Sequence, residues 1–301
     1  MMYAITGATG NTGSIVANHL LTCGEKVRAI GRDVNRLQPL VEMGAEPFTA
    51  DLTDAAGLTE AFSGSEAVYA MIPPALTSKD YRAYQDWVVE AIATAVETSG
   101  VKFVVSLSSV GADKPDKTGP IVGLHHLEQR LDHIPGINAL HLRAGYFMEN
   151  TLAQASIIRV AGMASGPLRA DLKLPMIATR DVGRAAAEAL FHLDFDGQQT
   201  QELLGQRDIS MTEAAAVIGN AIGKPDLKYV QASDEQLRPA LIQLGMSGNV
   251  ADLILELAAA FNSGHACALE PRSAANTTPT SYETFVAEEF LPLYRRQSMA
   301  A

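Results

Sequence analysis

Thr6-Gly7-Ala8-Thr9-Gly10-Asn11-Thr12-Gly13 follows a short apolar run at 2–6 and leads into a helical pattern at 11–23. A second strand-like run begins about twenty residues downstream, so the glycines stand where a dinucleotide-binding turn would join strand to helix. Each glycine has its own use there. Gly7 takes the tight turn, Gly10 lets backbone approach a pyrophosphate, and Gly13 lets the helix pack closely on the strand. The helix start adds unbonded N–H groups and a partial positive charge, which suit phosphate oxygens. Thr9, Asn11 and Thr12 lie between these glycines and complete the candidate phosphate loop. The competing reading is a tight turn that holds no ligand.

Outward from this loop, short β-branched runs alternate with helical patterns, the signature of βαβ units and a parallel sheet. Strands are expected at 2–6, 26–31, 46–50, 67–72, 102–107 and 138–143, with helices at 11–23, 34–42, 55–62, 80–99 and 121–133. In the longest helix Trp87, Val88, Ala91, Ile92, Ala95 and Val96 recur at helical spacing and are expected to pack on the sheet. Right-handed crossovers make this a doubly wound α/β fold with its ligand crevice at the carboxyl ends of the strands. Residues 1–150 form that unit, and 151–301 form a smaller cap with helices at 211–222, 234–244 and 250–261 and short strands at 202–204 and 228–231. The segment 179–192 is expected to pack back on the first unit. A polar stretch at 271–281 precedes a last helix at 282–290.

Of the 301 residues 47% are apolar and 19% charged, which excludes a disordered or collagen-like chain. The 23 Lys and Arg stand against 34 Asp and Glu, a net charge of −11. A nucleic-acid binder shows a basic face, so direct nucleic-acid binding is not expected. Cys23 and Cys267 lie far apart and outside any Cys-x-x-Cys pair, which reads as two buried thiols in a reducing compartment. No basic segment followed by an apolar run opens the chain, and no apolar run is long enough to span a bilayer. A soluble, cytoplasmic protein without a membrane partner is expected. The apolar helix at 250–261 offers a surface for a homodimer.

The end of the second strand discriminates between nicotinamide cofactors. An acidic residue there bonds the ribose hydroxyls of NAD, whereas Arg suits a 2′-phosphate. The chain reads Ala29-Ile30-Gly31-Arg32-Asp33, which favours NADP with NAD as the alternative. The competitor is a solvated Arg32 beside an Asp33 that caps the next helix. Asp51 and Leu52 after the third strand would lie beside the adenine, and Met71, Ile72 and Pro73 after the fourth would border the nicotinamide ribose. Asp51 has a turn or cap role as its alternative.

Taken with the glycine loop and Arg32-Asp33, three further stretches resemble the NmrA-like family of atypical short-chain dehydrogenases. They are Ser106-Leu107-Ser108-Ser109, Leu142-Arg143-Ala144-Gly145-Tyr146-Phe147-Met148-Glu149-Asn150 and Thr179-Arg180-Asp181-Val182-Gly183. The Gly-x-x-Gly-x-x-Gly spacing is the short-chain form, and 284–292 resembles the family's closing helix. The resemblance implies a Rossmann domain with a small α/β cap, NAD(P)(H) binding and a substrate cleft between the two. It does not imply one activity, since the family holds quinone and dye reductases alongside non-catalytic redox sensors. The family commonly has Pro where Ala144 stands, so a looser turn into Tyr146-Phe147 is expected.

Hydride reduction of a carbonyl needs a proton donor near the developing alkoxide, a task that short-chain dehydrogenases give to Tyr-x-x-x-Lys. Between Tyr84 and Tyr146 the chain has no tyrosine. Tyr146 therefore stands as one candidate, and His125, three residues before Glu128 on the same helix face, as another. The alternative for His125 is a hydrogen bond near the cofactor, with Glu128 paired to Arg130 or backbone. Ser108, at the crevice with Ser109, is a candidate to reach substrate oxygen or ribose, and Ser106 joins the cofactor set. Phe147 and Asn150 are placed against the nicotinamide. His125, His126, His133 and His141 lack a carboxylate cluster at metal spacing, so no metal is expected. Two functions stay open: an NADPH-dependent reductase of a quinone or similar small-molecule acceptor, and an NADP-binding redox sensor acting through a protein partner. A phenylpropanoid-type isomerase or reductase fits only at the glycine loop.

Overall fold

The computed structural model of the chain describes residues 1–299. Five alternations open it: β1 (Met2–Ile5), α1 (Gly13–Thr22), β2 (Lys26–Gly31), α2 (Val34–Glu42), β3 (Glu46–Thr49), α3 (Ala55–Phe62), β4 (Ala67–Ala70), α4 (Tyr81–Ser99), β5 (Phe103–Ser109), α5 (Ile121–Asp132) and β6 (Asn138–Ala144). The chain then crosses β7 (Tyr146–Phe147), a 3-10 turn (Met148–Ala153), α6 (Gln154–Ala161), β8 (Ala164–Gly166) and β9 (Leu174–Ile177). It continues through α7 (Thr179–His192), β10 (Gln198–Leu203), β11 (Asp208–Ile209), α8 (Met211–Ala221), β12 (Tyr229–Gln231), α9 (Asp234–Gln243) and α10 (Gly248–Ser263). Finally α11 (Tyr282–Phe285) runs through a wide π-helical turn (Val286–Phe290) into α12 (Leu291–Met299).

Seven parallel strands form the main sheet in the order β10-β6-β5-β4-β1-β2-β3. The order reverses at β1, which puts the ligand crevice at the carboxyl ends of β1 and β4. Strand alternation divides the core. Tyr3 and Ile5 face one layer with Val16 and Leu20 of α1 and Val182 and Leu190 of α7, while Ala4 faces the other with Leu58, Ile92 and Leu127 of α3, α4 and α5. A third cluster, built from α6, α8, α10 and the 282–290 segment, forms the cap. Its small sheets are β11-β9-β7 and β12-β8.

Three expectations need correction. The strand expected at 202–204 belongs not to the cap but to β10, which pairs with β6 from Gln198↔Ala139 to Leu203↔Ala144, just before Leu204, and completes the main sheet. Trp87 sits at the margin of the α4 stripe, and its large ring turns outward, 64% exposed, while Val88, Ile92 and Val96 are buried. Cys23 ends α1 and Cys267 lies in the loop after α10, so both thiols are exposed rather than buried. Among the described residues no helix is long and apolar enough to cross a membrane, and no group of three or more His, Cys, Asp or Glu is placed to hold a metal ion.

Candidate functional site

Gly7 has φ of +59°, a conformation that only glycine adopts without strain. A Cβ on Gly13 would lie 2.3 Å from the Gly7 carbonyl oxygen, so α1 can start against β1 only because position 13 has no side chain. The Gly10 N–H donates to the Gly7 carbonyl (2.8 Å) and closes the turn. Thr12 is buried, and its hydroxyl accepts from the Tyr69 phenol (2.8 Å), fastening the loop to β4. Burial pushes the Tyr69 phenol well above its usual range, so it stays a donor. The hydroxyl of Thr12 is thus tied to β4 as an acceptor. No side chain caps α1 at Thr12; the Ser14 N–H donates to the Gly10 carbonyl (3.1 Å), and the other first-turn N–H groups are left for a bound anion.

Asp33 accepts from the Asn35 N–H through one carboxylate oxygen (2.9 Å) and caps α2, the capping role expected as its alternative. Arg32, exposed at the end of β2, is the remaining charged group there. Asp51 accepts from both the N–H (2.9 Å) and the hydroxyl (2.8 Å) of Thr53, the turn role expected as its alternative. Those bonds, and then the nearby Arg32 charge, hold its carboxyl below the usual range. Leu52 is buried beside it. Across the loop the Met71 N–H donates to Thr6 Oγ1 (3.2 Å), the Met71 sulfur covers Gly7, and the Pro73 carbonyl accepts from the Tyr84 phenol (3.2 Å). A loop without room for Cβ atoms, an uncapped helix start and an exposed guanidinium fit a phosphorylated dinucleotide.

Beside this end, a cavity of about 230 Å3 opens past the ends of β5 and β6. Its wall takes Ser108 and Ser109 from β5, Tyr146 and Phe147 from β7, Leu124 from α5 and Phe261 from α10. The rings of Tyr146 and Phe261 meet edge to face with centroids 6.3 Å apart. Helix α10 is gripped by both neighbouring loops. Its Ser247 N–H and hydroxyl donate to the Leu76 and Ser78 carbonyls, its Asn249 accepts from the Tyr81 N–H, and its Glu256 accepts from the Gly119 N–H. The apolar face of α10, including Val250, Leu255 and Phe261, is buried within the chain and is not a free dimer surface.

The structure brings Ile72, Ser108, Tyr146, Phe147 and Asn150 together in this wall. His125 is not part of it. Each helical residue turns about 100°, and on α5 the preceding Leu124 faces the cavity, while the His125 Nδ1–H donates to the Ala112 carbonyl (2.8 Å). Nor does Glu128 orient His125. It is 2% exposed, accepts from Ser108 Oγ (2.5 Å), and is held by Arg143 through Nε (2.9 Å) and Nη2 (2.6 Å). Ser106 is removed from the cofactor set as well: it is wholly buried, 2.6 Å from His141 Nδ1, whose Nε2 meets Asp132 (2.9 Å). Gln85 was not foreseen. It is buried in the wall, donates to the Pro120 carbonyl (2.7 Å), and lies where a Cβ on Gly123 would be, 2.3 Å away. That mid-helix glycine is the signal that could have found it.

The family model for the NmrA-like family matches residues 2–291. The chain belongs to the NmrA-like family. Among NmrA-like and related proteins, the NAD(P)H azoreductase of Xenophilus azovorans is 30% identical over 258 residues, 85% of this chain and 86% of that one. Quinone oxidoreductase 2 of Escherichia coli is 30% identical over 260 residues, again 85% of this chain and 86% of that one. A crystal structure of an NADPH-dependent quinone oxidoreductase from Escherichia coli, complexed with NADPH, matches with a TM-score of 0.81 at 26% identity, covering 96% of this chain and all (100%) of that one. The NADP complex of NmrA, a negative transcriptional regulator, shares the fold with a TM-score of 0.72 at 16% identity, over 98% and 97% of the two chains. In this NmrA-like chain the turn after Ala144 is not loosened by the missing proline. The Ala144 carbonyl accepts from the Val110 N–H (2.9 Å), and the Gly145 N–H donates to the Leu203 carbonyl (2.8 Å).

Proposed function

We propose that this protein is an NADPH-dependent reductase of a quinone or a similar conjugated acceptor. The observation that carries the reading is the junction of two unlike sites at one strand-end crevice: a glycine loop with Arg32 for the nucleotide, and a mostly apolar, aromatic-walled cavity beside it. The relatedness to an azoreductase and a quinone oxidoreductase supports it.

Bound NADPH supplies a hydride, and with one proton from solvent a quinone becomes its hydroquinone. The chain's own residues hold the acceptor and manage its charge. Phe147, Leu124 and Phe261 give a flat ring apolar surface and keep water away. Burial pushes the Tyr146 phenol up to about 12, against the opposing effect of its bond to Asn150, so it stays protonated and donates toward the oxygen where charge develops. A conjugated acceptor gives a stabilised, weakly basic anion. Neither a Tyr-x-x-x-Lys pair nor a histidine acid is then required. The same reading places the enzyme in the cytoplasm, where reducing conditions suit two exposed thiols.

The test is oxidation of NADPH, followed by nicotinamide absorbance, against a panel of quinones and azo dyes, with cofactor binding measured on the same sample. Saturable turnover is expected. Binding without turnover on any acceptor overturns the reductase and points to a regulator that acts through a protein partner.

A further inference from the structure

Two polar rungs lie between β5, β6 and α5. Ser106 and His141 are cross-strand neighbours, as are Ser108 and Arg143, and α5 sets Asp132 and Glu128 one turn apart above them. The inner rung, Ser106–His141–Asp132, is closed: its serine has no exposed surface. The outer rung ends in the cavity wall at Ser108.

The bonding in that rung has a direction. Glu128 is buried and takes two bonds from the Arg143 guanidinium, the fork geometry of an ion pair. A charged carboxylate only accepts, so the Ser108 proton is committed to it over 2.5 Å. What Ser108 keeps for the cavity is lone pairs. Ser109 repeats the pattern, because its hydroxyl donates to the Val110 carbonyl (3.0 Å). Gln85 places one amide N–H on the Pro120 carbonyl and its oxygen takes the Arg82 guanidinium, so what it keeps is its second N–H, a donor rather than a second acceptor beside Ser108. On the other wall stand the Tyr146 phenol and the Asn150 amide, which can donate. No residue of the glycine loop, nor Arg32 or Asp51, lines this cavity. Its polar edges therefore read the acceptor.

We propose that Glu128, held by Arg143, fixes Ser108 as a hydrogen-bond acceptor and so selects electron acceptors that carry a hydroxyl or N–H next to the reducible conjugated carbonyl. The carbonyl oxygen meets Tyr146, and the neighbouring donor meets Ser108. This specificity rests on the reductase reading and deepens it: Ser108 is a specificity residue rather than a proton source, and Glu128 is its positioning residue.

The probes are 2-(hydroxymethyl)-1,4-naphthoquinone and its methyl ether, which differ in one donor and little else. With NADPH and the full chain, kcat/KM should favour the alcohol roughly tenfold or more, since an ether leaves the charge-assisted acceptor unpaired. Ser108→Ala should bring that preference to within about threefold through a higher KM for the alcohol, and Ser108→Thr, which keeps the hydroxyl, should retain it. Glu128→Gln, where it folds, should weaken the preference as Ser108→Ala does. A wild-type enzyme that treats the two probes alike overturns the proposal, as does Ser108→Ala lowering kcat/KM equally for both. If other quinones or dyes of the panel are reduced but neither probe is, the proposal is overturned while the reductase reading stands; if no acceptor at all is reduced, the reductase reading has failed. Calorimetric binding of the two probes then decides this one: tighter binding of the alcohol, lost in Ser108→Ala, upholds it, and equal binding overturns it.

Discussion

At the Gly7–Gly13 loop the shape is set mainly by backbone: the Gly10 N–H lies on the Gly7 carbonyl and the α1 start presses against that same oxygen, while the Tyr69 phenol on Thr12 and the Met71 N–H on Thr6 tie the loop to β4. At the cavity, the wall joins Gln85, Ser108, Leu124, Tyr146 and Phe261, and its shape depends on Glu256 holding Gly119 across 137 residues of chain. The nucleotide end is made of backbone and bare space. The acceptor end is made of side chains whose roles are set by partners far away in sequence. A backbone site tolerates change at its surface but not an added methyl group, while a side-chain site fails or changes specificity when a supporting partner is lost.

The largest effect expected is at the acceptor end. Glu128→Ala leaves the Arg143 guanidinium half-buried without its carboxylate, at a cost of about 3–5 kcal/mol in chemical unfolding. If NADPH affinity of the folded fraction also falls more than about threefold, the two ends are coupled and the comparison breaks. Next, Gly13→Ala puts a Cβ 2.3 Å from the Gly7 carbonyl and should cost roughly 1–3 kcal/mol, with NADPH binding weakened, read by thermal unfolding and titration. Arg32→Ala should weaken NADPH binding roughly ten- to a hundredfold and spare NADH, and equal losses for both would sink the 2′-phosphate role of Arg32. The smallest effect is alkaline. An unfolded tyrosine ionises near 10 and Tyr146 near 12, so its contribution to stability is whole below the first value and lost as pH rises through the second. Tyr146→Phe should make the fall in stability between those values shallower, and an unchanged slope would show that the phenol is less shielded than its place in the wall implies.

The same contrast explains what the sequence shows. The glycine turn and the first six strands are legible because strand period, helix period and turn chemistry act over short spans. The failures share a cause in distance. His125 and Leu124 differ by one step on a helix, and which one faces the cavity is set by how α5 packs, not by residue chemistry. Ser106 and Ser108 alternate identically along β5, yet one is sealed by His141 and the other reaches the cleft because the strand ends there. Residues 202–204 look like a cap strand, since nothing local says that 198–203 return to pair with β6. Residue type and spacing point the two cysteines inside, whereas Cys23 caps the end of α1 and Cys267 lies in the loop after α10, both exposed.

That returning strand bears on how the protein is made. The edge of β6 stays unpaired on the ribosome until β10 emerges, after β7, β8, β9 and the helices between them have been synthesised. An unpaired strand edge is a template for wrong partners, and a nascent chain that carries only its first 150 residues holds it bare. A release or a long pause before residue 203 should therefore produce aggregates rather than a small nucleotide-binding unit.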